Sequence, residues 1–104
     1  MANLAELDLP EGVENGEDPK EFIRFWIAGN EDYVTLNIGA FDKEHEAASW
    51  GMIAADIIKH AMRGMCQDDP SREQQALLAE IEPAFYGRLR ETVKISGQLR
   101  GEKH

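Results

Sequence analysis

The chain has 104 residues, of which 42% are apolar and 30% are charged, the composition of one soluble globular domain rather than of a disordered or fibrous protein. It contains no apolar run of the roughly 20 residues that a membrane span needs. Its acidic start and lone cysteine indicate a cytoplasmic protein that does not contact a membrane. The net charge is −9, with 12 acidic and 3 basic residues among residues 1–46, a balance that repels phosphate backbones and argues against a nucleic-acid partner.

The first 20 residues predict a short strand followed by a loop. In residues 4–9, LAELDL, leucines alternate with acidic residues, which is the period of a strand with one apolar face, and Pro10 closes the run. Residues 10–20 contain two prolines, two glycines and four acidic residues, and they can bury almost nothing. We therefore expect an edge strand at residues 4–9 and a loop at residues 10–20.

The clearest signal in the chain is a β-hairpin at residues 21–40. Two runs rich in β-branched and aromatic residues flank the turn-forming sequence GNED. In the second run apolar and polar side chains alternate, as a half-buried strand requires. The predicted inner face consists of Ile23, Phe25, Ile27, Val34, Leu36 and Ile38, and the opposite face of Phe22, Arg24, Trp26, Ala28, Tyr33, Thr35 and Asn37.

A long helix is predicted at residues 43–66. Asp42 suits the N-cap, and Glu44 and Glu46 are favourable in the first turn because the helix dipole is positive there. Apolar residues then recur at spacings of three and four, the pattern of a helix buried along one stripe. That stripe consists of Ala47, Trp50, Ile53, Ala54, Ile57, Ile58, Ala61 and Met65.

A second helix is predicted to begin at Asp69 and Pro70, since a proline lacks only a donor that the first helical turn leaves unpaired. Its apolar face continues past Pro83, where the hydrogen bond to the carbonyl of Ala79 must be lost and a bend is expected. The residues of this face are Leu77, Leu78, Ile81, Phe85, Leu89 and Val93.

The order of these elements predicts an α+β protein with one domain, residues 1–95. An antiparallel β-hairpin, to which residues 4–9 can add a third edge strand, is covered on one face by two α-helices. Residues 96–104 have little to bury and are expected to form a flexible tail.

Three stretches resemble a family of small bacterial proteins known only as a domain of unknown function. They are IRFWIAGNEDYVTLNIGAF, SWGMIAADIIKHAM and LLAEIEPAF, and the likeness spans residues 20–90. The chain departs from the family's Asp-Pro entry into the first helix, because it has Asp-Lys-Glu-His at residues 42–45. The resemblance implies a fold and a bacterial origin more than a function. The matching positions are Arg24, Trp26, Val34 to Gly39, Trp50, Gly51, Asp56, His60, and Leu77 to Phe85.

Asp56 and His60 are the residue pair most suggestive of chemistry. They lie four residues apart on the first helix, so the carboxylate can accept a hydrogen bond from the imidazole, as in an oriented general base. No nucleophile shares that face, because Cys66 lies about 240° around the helix axis from His60. The other interpretation is an ion pair on the polar edge of a packing helix.

The sequence predicts no metal, cofactor or catalytic site. His45 and His60 are separated by about 22 Å along one helix, and Asp56 with His60 supplies two ligands where a zinc site needs at least three. Cys66 lies near a helix C-terminus, where the dipole disfavours a thiolate. No catalytic residue is therefore assigned.

The opposite face of the hairpin is a candidate interaction surface. Arg24, Trp26 and Tyr33 combine aromatic and arginine side chains, the composition that binding hot spots prefer. Two explanations remain open for how Trp26 is covered. Leu7 and Leu9 can fold over it within the chain, or a second copy can cover it in a homodimer that pairs sheets or hairpin edges.

These observations favour a non-enzymatic module that self-associates, as a homodimer, and binds a protein or peptide partner. The alternative is a small-molecule binding protein, or a minor enzyme, with a pocket between the sheet and the helices. Asp56 and His60 would stand at the mouth of that pocket, and Trp26 or Tyr33 would form its wall. The candidate surface residues for either function are Arg24, Trp26, Tyr33, Asp56 and His60.

Overall fold

A computed structural model of the chain describes residues 4–91, and within them a two-stranded antiparallel sheet is followed by two long helices. This confirms the predicted α+β class. Residues 4–10 form no strand, and a five-residue helix lies where only a loop was predicted. The predicted tail, residues 96–104, and the domain end at residue 95 lie outside the described residues. The elements are α1 Glu11–Asn15, β1 Ile23–Ala28, β2 Glu31–Leu36, α2 Glu46–Asp68 and α3 Gln74–Arg90.

The hairpin forms because its turn residues match a tight two-residue loop. Ala28 pairs with Glu31, so only Gly29 and Asn30 connect the strands. Gly29 has φ +65°, and glycine at the first position of such a turn provides the twist that the strands require. The register pairs Ile23 with Leu36, which confirms the predicted alternation of the two faces along the strands.

Helix α2 begins three residues later than predicted and ends two residues later. Asp42 is not the N-cap, because its carbonyl accepts the backbone N–H of His45 at 3.0 Å in a turn that precedes the helix. His45 occupies the cap position without a side-chain capping bond. The local turn at residues 42–45 has therefore displaced the start of the helix.

Helix α3 also begins later than predicted, at Gln74, with Glu73 as its N-cap. Asp69 instead closes a turn, since its Oδ1 accepts the backbone N–H of Ser71 at 3.1 Å and the hydroxyl of Ser71 at 2.7 Å. The hydroxyl bond, followed by the backbone bond, lowers the pKa of Asp69. Pro83 lies inside the helix, which continues through it to Arg90.

The core of the described residues is small. Met62 on α2 and Leu77 on α3 are the two residues buried within residues 4–91, at 8% and 5% exposure. They lie on either side of the short connection between the two helices. Two buried side chains are few for a domain of this size, in which roughly 60% of the surface of the unfolded chain would ordinarily be buried.

Three half-buried aromatic rings join the hairpin to α2. Phe22 precedes β1, Phe41 follows β2, and Trp50 lies in the first turns of α2. Their ring centroids are separated by 5.3 Å for Phe22 and Phe41, 5.9 Å for Phe41 and Trp50, and 6.4 Å for Phe22 and Trp50. The two pairs that include Trp50 meet edge to face, a favourable geometry for aromatic rings. We call these three residues the aromatic cluster.

Candidate interaction surface

The sheet register brings Arg24, Trp26 and Tyr33 together on one face of the hairpin. Trp26 stands directly opposite Tyr33, and Arg24 is two residues along β1, opposite Thr35. Side chains directly across an antiparallel pair share a face, as do side chains two residues apart on one strand. The three residues selected from the sequence therefore form one continuous patch, which we call the hairpin patch.

Arg24 is held by two carboxylates. Its Nη1 donates to Oε2 of Glu6 at 3.1 Å, and its Nε donates to Oε2 of Glu21 at 3.2 Å. The bond to Glu6, followed by the bond and the charge of Glu21, raises the pKa of Arg24. Exposed ion pairs stabilise a protein little. The contact with Glu6 nevertheless ties a segment 18 residues earlier in the chain to β1.

Two shallow clefts flank β1. The larger, about 240 Å³, lies between the segment Ala5–Pro10 and β1, and its lining includes Arg24 and Trp26. The smaller, about 120 Å³, is lined by residues of both strands around Ile23 and Leu36. Ligand pockets that bury a drug-sized molecule usually measure about 300 to 1,000 Å³. Surfaces of this shape suit an extended peptide or a partner's side chain better than an enclosed metabolite.

Trp26 is half-buried, and the leucines of the N-terminal segment do not bury themselves against it. Leu7 is 94% exposed and Leu9 is 62% exposed, although both line the cleft beside β1. Tyr33 is 49% exposed, and its hydroxyl donates to Oε1 of Glu31 at 3.0 Å. That bond raises the pKa of the phenol. The hairpin patch therefore presents an aromatic pair beside a charged guanidinium.

The other face of the hairpin, which the sequence predicted to be the inner one, is open along much of its length. Phe25 is 58% exposed and Ile27 is 66% exposed, whereas Ile23, Val34 and Leu36 are half-buried. Contact between the hairpin and α2 runs through the aromatic cluster, next to the start of β1. Within residues 4–91, α2 therefore reaches the hairpin at one end, through residues that flank the strands, and the strands themselves contact neither helix.

Asp56 and His60 lie on α2 with exposed side chains. Oδ1 of Asp56 lies 3.9 Å from Nζ of Lys59, three residues along the helix. Within residues 4–91 no hydrogen bond joins Asp56 to His60, and neither residue lines the two clefts beside β1. The geometry corresponds to a surface ion pair of the helix more closely than to an acid that orients a base.

No group of three or more histidine, cysteine or acidic side chains is arranged to hold a metal ion within residues 4–91. Cys66 is a half-buried free thiol. No helix of this part of the chain combines the length and the apolar character needed to cross a bilayer.

The sequence did not reveal the role of Glu46, the first residue of α2. Its Oε2 accepts the backbone N–H of Gly39 at 2.8 Å and the indole N–H of Trp50 at 3.2 Å. The bond from Gly39, followed by that from Trp50, lowers the pKa of the carboxyl group. The sequence does contain a signal for this role of Glu46. A glutamate stands four residues before a tryptophan, and a glycine-containing loop precedes both.

Glu46 should make the stability of the protein depend on pH. A carboxyl group whose pKa is lowered by folding stabilises the folded state above its unfolded pKa, and this stabilisation is lost as the pH falls through the folded pKa. We expect the wild-type chain to melt at a higher temperature than a Glu46→Gln variant at pH 7. The difference should shrink from roughly pH 5 downward, where carboxyl groups protonate.

Thermal unfolding of both chains, followed by circular dichroism from pH 7 to pH 3, measures this difference. Glu44→Gln removes a charge from the turn before α2. Within residues 4–91 the carboxylate of Glu44 makes no hydrogen bond. This variant controls for the change in net charge. A melting-temperature difference between wild type and Glu46→Gln that stays constant over the whole range would contradict the expected role of the charge.

Comparisons with known proteins support the fold and do not assign an activity. Among the solved structures that match, one has a TM-score of 0.64 and 25% sequence identity, and the match covers 86% of each chain. It comes from the photosynthetic bacterium Rhodopseudomonas palustrus CGA009 and is provisionally named a pyruvate dehydrogenase. That name belongs to the other protein. No curated protein matches significantly. A family model described as a domain of unknown function, DUF5076, matches residues 6–92.

Proposed function

We propose that the chain, which belongs to the DUF5076 family of domains of unknown function, is a non-enzymatic module. On this proposal it self-associates and binds a protein partner. On this proposal the protein acts in the cytoplasm, where the half-buried thiol of Cys66 stays reduced. The two halves of the proposal rest on different parts of the molecule. Self-association accounts for the uncovered apolar surface, and partner binding uses the hairpin patch.

The observation that carries self-association is the imbalance between buried and exposed apolar side chains. Met62 and Leu77 are buried, whereas thirteen large hydrophobic residues of the described part are 37% to 94% exposed. Soluble monomers rarely expose large contiguous apolar patches, and those that do commonly use them as interfaces. Burial of such side chains supplies most of the free energy that opposes chain entropy in folding. A second copy can supply the missing cover.

The hairpin patch supports a protein or peptide as the partner. Trp26, Tyr33 and Arg24 belong to the residue types that dominate binding hot spots. The adjacent cleft is open and measures about 240 Å³, and its lining includes the N-terminal segment Ala5–Pro10. The surrounding acidic residues Glu6, Glu21 and Glu31 favour a partner of positive charge, since complementary charge speeds encounter and selects among partners.

The test of self-association is the molar mass in solution. Size-exclusion chromatography coupled to light scattering should give twice the mass of one chain at concentrations of tens of micromolar, and the mass should fall on dilution. Folded protein should be verified in the same fractions by circular dichroism. A folded chain that has the mass of one copy at every concentration would end this part of the proposal.

A further inference from the structure

The larger cleft runs along the free edge of β1. Its lining includes four consecutive residues of this strand, Ile23 to Trp26, whose side chains alternate between the two faces of the hairpin. A cleft that meets both faces of a strand lies along its edge, and the other edge of β1 is occupied by β2. Within residues 4–91 no strand pairs with β1 on the side of the cleft.

The register determines which backbone groups of β1 face this cleft. The N–H of Asn37 donates to the carbonyl of Phe22 at 3.0 Å, and a two-residue loop follows Ala28. In an antiparallel pair every second residue bonds to the partner strand, and the residues between them point their backbone groups away from it. Every second residue from Phe22 to Ala28 therefore bonds to β2. The N–H and C=O groups of Ile23 and Phe25 point toward the cleft.

We propose that a partner binds along this edge of β1 as an added strand, and that its bound segment is an extended peptide in which basic and apolar residues alternate. A strand edge with unpaired N–H and C=O groups is a template for such pairing. The inference rests on the partner-binding half of the proposed function. It adds the backbone contacts and the side-chain pattern of the partner.

Charge beside the cleft favours basic side chains. Three acidic residues and one basic residue line the cleft, which gives it a net charge of −2. They are Glu6, Asp8, Glu21 and Arg24. Arg24 is already held by two of these carboxylates and shares a face with Trp26. A lysine or arginine of the partner on this face can approach the carboxylates and lie over the ring of Trp26.

The other face of β1 favours apolar side chains. Phe25 and Ile27 project there and are 58% and 66% exposed. An added strand places every second side chain beside the residues of one face of β1 and the remaining side chains beside those of the other face. Apolar residues of the partner can therefore cover Phe25 and Ile27 while its basic residues lie beside Trp26.

The side-chain pattern is tested with the fluorescein-labelled peptide acetyl-VKVKVKV-amide as the probe, by fluorescence anisotropy. It should bind roughly 10-fold more tightly than acetyl-VVVVKKK-amide, because the second peptide has the same composition but loses two or three matched side-chain pairs. The variant Asp8→Asn/Glu21→Gln should weaken binding of the probe by roughly 5-fold at low salt and by less at 0.5 M salt. Glu11→Gln/Glu14→Gln, an equal change of charge in α1, should stay within about 2-fold of wild type. Equal binding of the alternating and the block peptide would overturn the proposed pattern.

Backbone pairing is tested by N-methylation of the probe, which removes a donor and blocks a bond of the ladder. Only every second N–H group of an added strand faces β1. Methylation of either the two inner valines or two of the lysines should therefore weaken binding by roughly 10-fold, and methylation of the other set should change it by less than about 2-fold. Equal effects of the two sets would contradict strand addition.

Phe25→Pro removes the corresponding donor from the protein. The hydrogen bonds to β2 remain because the neighbouring residues make them, and proline is tolerated where its nitrogen faces away from the ladder. Phe25→Ala removes the same ring and keeps the N–H group. The proline variant should bind the probe roughly 5-fold more weakly than the alanine variant, with folding of both verified by circular dichroism. The methylated probes test the same contact in the wild-type chain if Phe25→Pro does not fold.

Tyr33→Ala separates the edge site from the proposed function, because Tyr33 belongs to the hairpin patch and does not line the cleft. Binding of the probe that survives Tyr33→Ala and requires one set of peptide N–H groups supports the edge site. Binding that is lost in Tyr33→Ala and indifferent to methylation would overturn the edge site and leave partner binding on the hairpin patch. Absence of binding at about 1 mM probe, a very weak affinity, would also overturn the edge site, whereas self-association is decided separately by the molar mass.

Discussion

Replacing Leu77 with alanine is expected to lower the free energy of unfolding by about 3 kcal/mol, within the range of 2 to 5 kcal/mol known for leucine truncation in cores. Leu77 is 5% exposed and is one of the two buried residues within residues 4–91. In a core this small no second layer of side chains can collapse into the cavity. A loss of this size is a large fraction of the 5 to 15 kcal/mol by which domains are usually stable.

Urea unfolding followed by circular dichroism measures the effect of Leu77→Ala, with equal protein concentrations because an associating chain gains apparent stability by mass action. Leu7→Ala makes the same truncation at a 94% exposed leucine and should change the free energy of unfolding by less than about 0.5 kcal/mol. If the two variants unfolded at the same urea concentration, the contact between α2 and α3 would not be the core of this fold.

Replacing Trp50 with alanine is the second large change that we expect. Truncation of a buried aromatic residue costs about 3 to 5 kcal/mol, so the half-buried Trp50 should cost about 2 kcal/mol. The variant loses two ring contacts of the aromatic cluster and the hydrogen bond to Glu46. Because this cluster joins the hairpin to α2, the hairpin should lose more stability than the helices.

Amide hydrogen exchange distinguishes this local loss from a global one. Protection in β1 and β2 should fall in Trp50→Ala by more than protection in α3. Trp26→Ala, a change of the other tryptophan, should leave the protection of α2 and α3 unchanged because Trp26 lines the cleft beside the segment Ala5–Pro10 and does not belong to the aromatic cluster. A uniform fall of protection in all elements of Trp50→Ala would show that the cluster supports the entire fold rather than one joint.

The elements that the sequence predicted best are those fixed by local patterns. The hairpin follows from alternation of period two and from Gly29, and its register agrees with the predicted faces. The helix starts were misplaced because several polar residues compete to cap one end. Asp69 accepts a hydrogen bond from the backbone N–H of Ser71 rather than from one in α3. The carbonyl of Asp42 accepts the backbone N–H of His45 in a turn before α2. Such competition depends on geometry that spacing alone does not contain.

The candidate surface was predictable in part for the same reason. The period of two along a strand predicts that Arg24, Trp26 and Tyr33 share one face. It does not predict which residues surround them. The carboxylate of Glu6 lies 18 residues before Arg24 and meets it only through the path of the N-terminal segment. For Asp56, the sequence suggested His60 one turn later, whereas the structure favours Lys59 three residues later. The direction of the Asp56 side chain within its helical turn determines which of the two residues it approaches.

The segment Ala5–Pro10 also has a consequence for the solubility of the chain. The strand sequence IRFWIA is short, apolar and rich in β-forming residues, the properties of stretches that seed cross-β aggregates. In the folded protein the segment lies beside this strand, where Glu6 is paired to Arg24 and Pro10 cannot donate a ladder hydrogen bond. We therefore expect the acidic, proline-ended segment to oppose the pairing of a second copy of this chain with this strand.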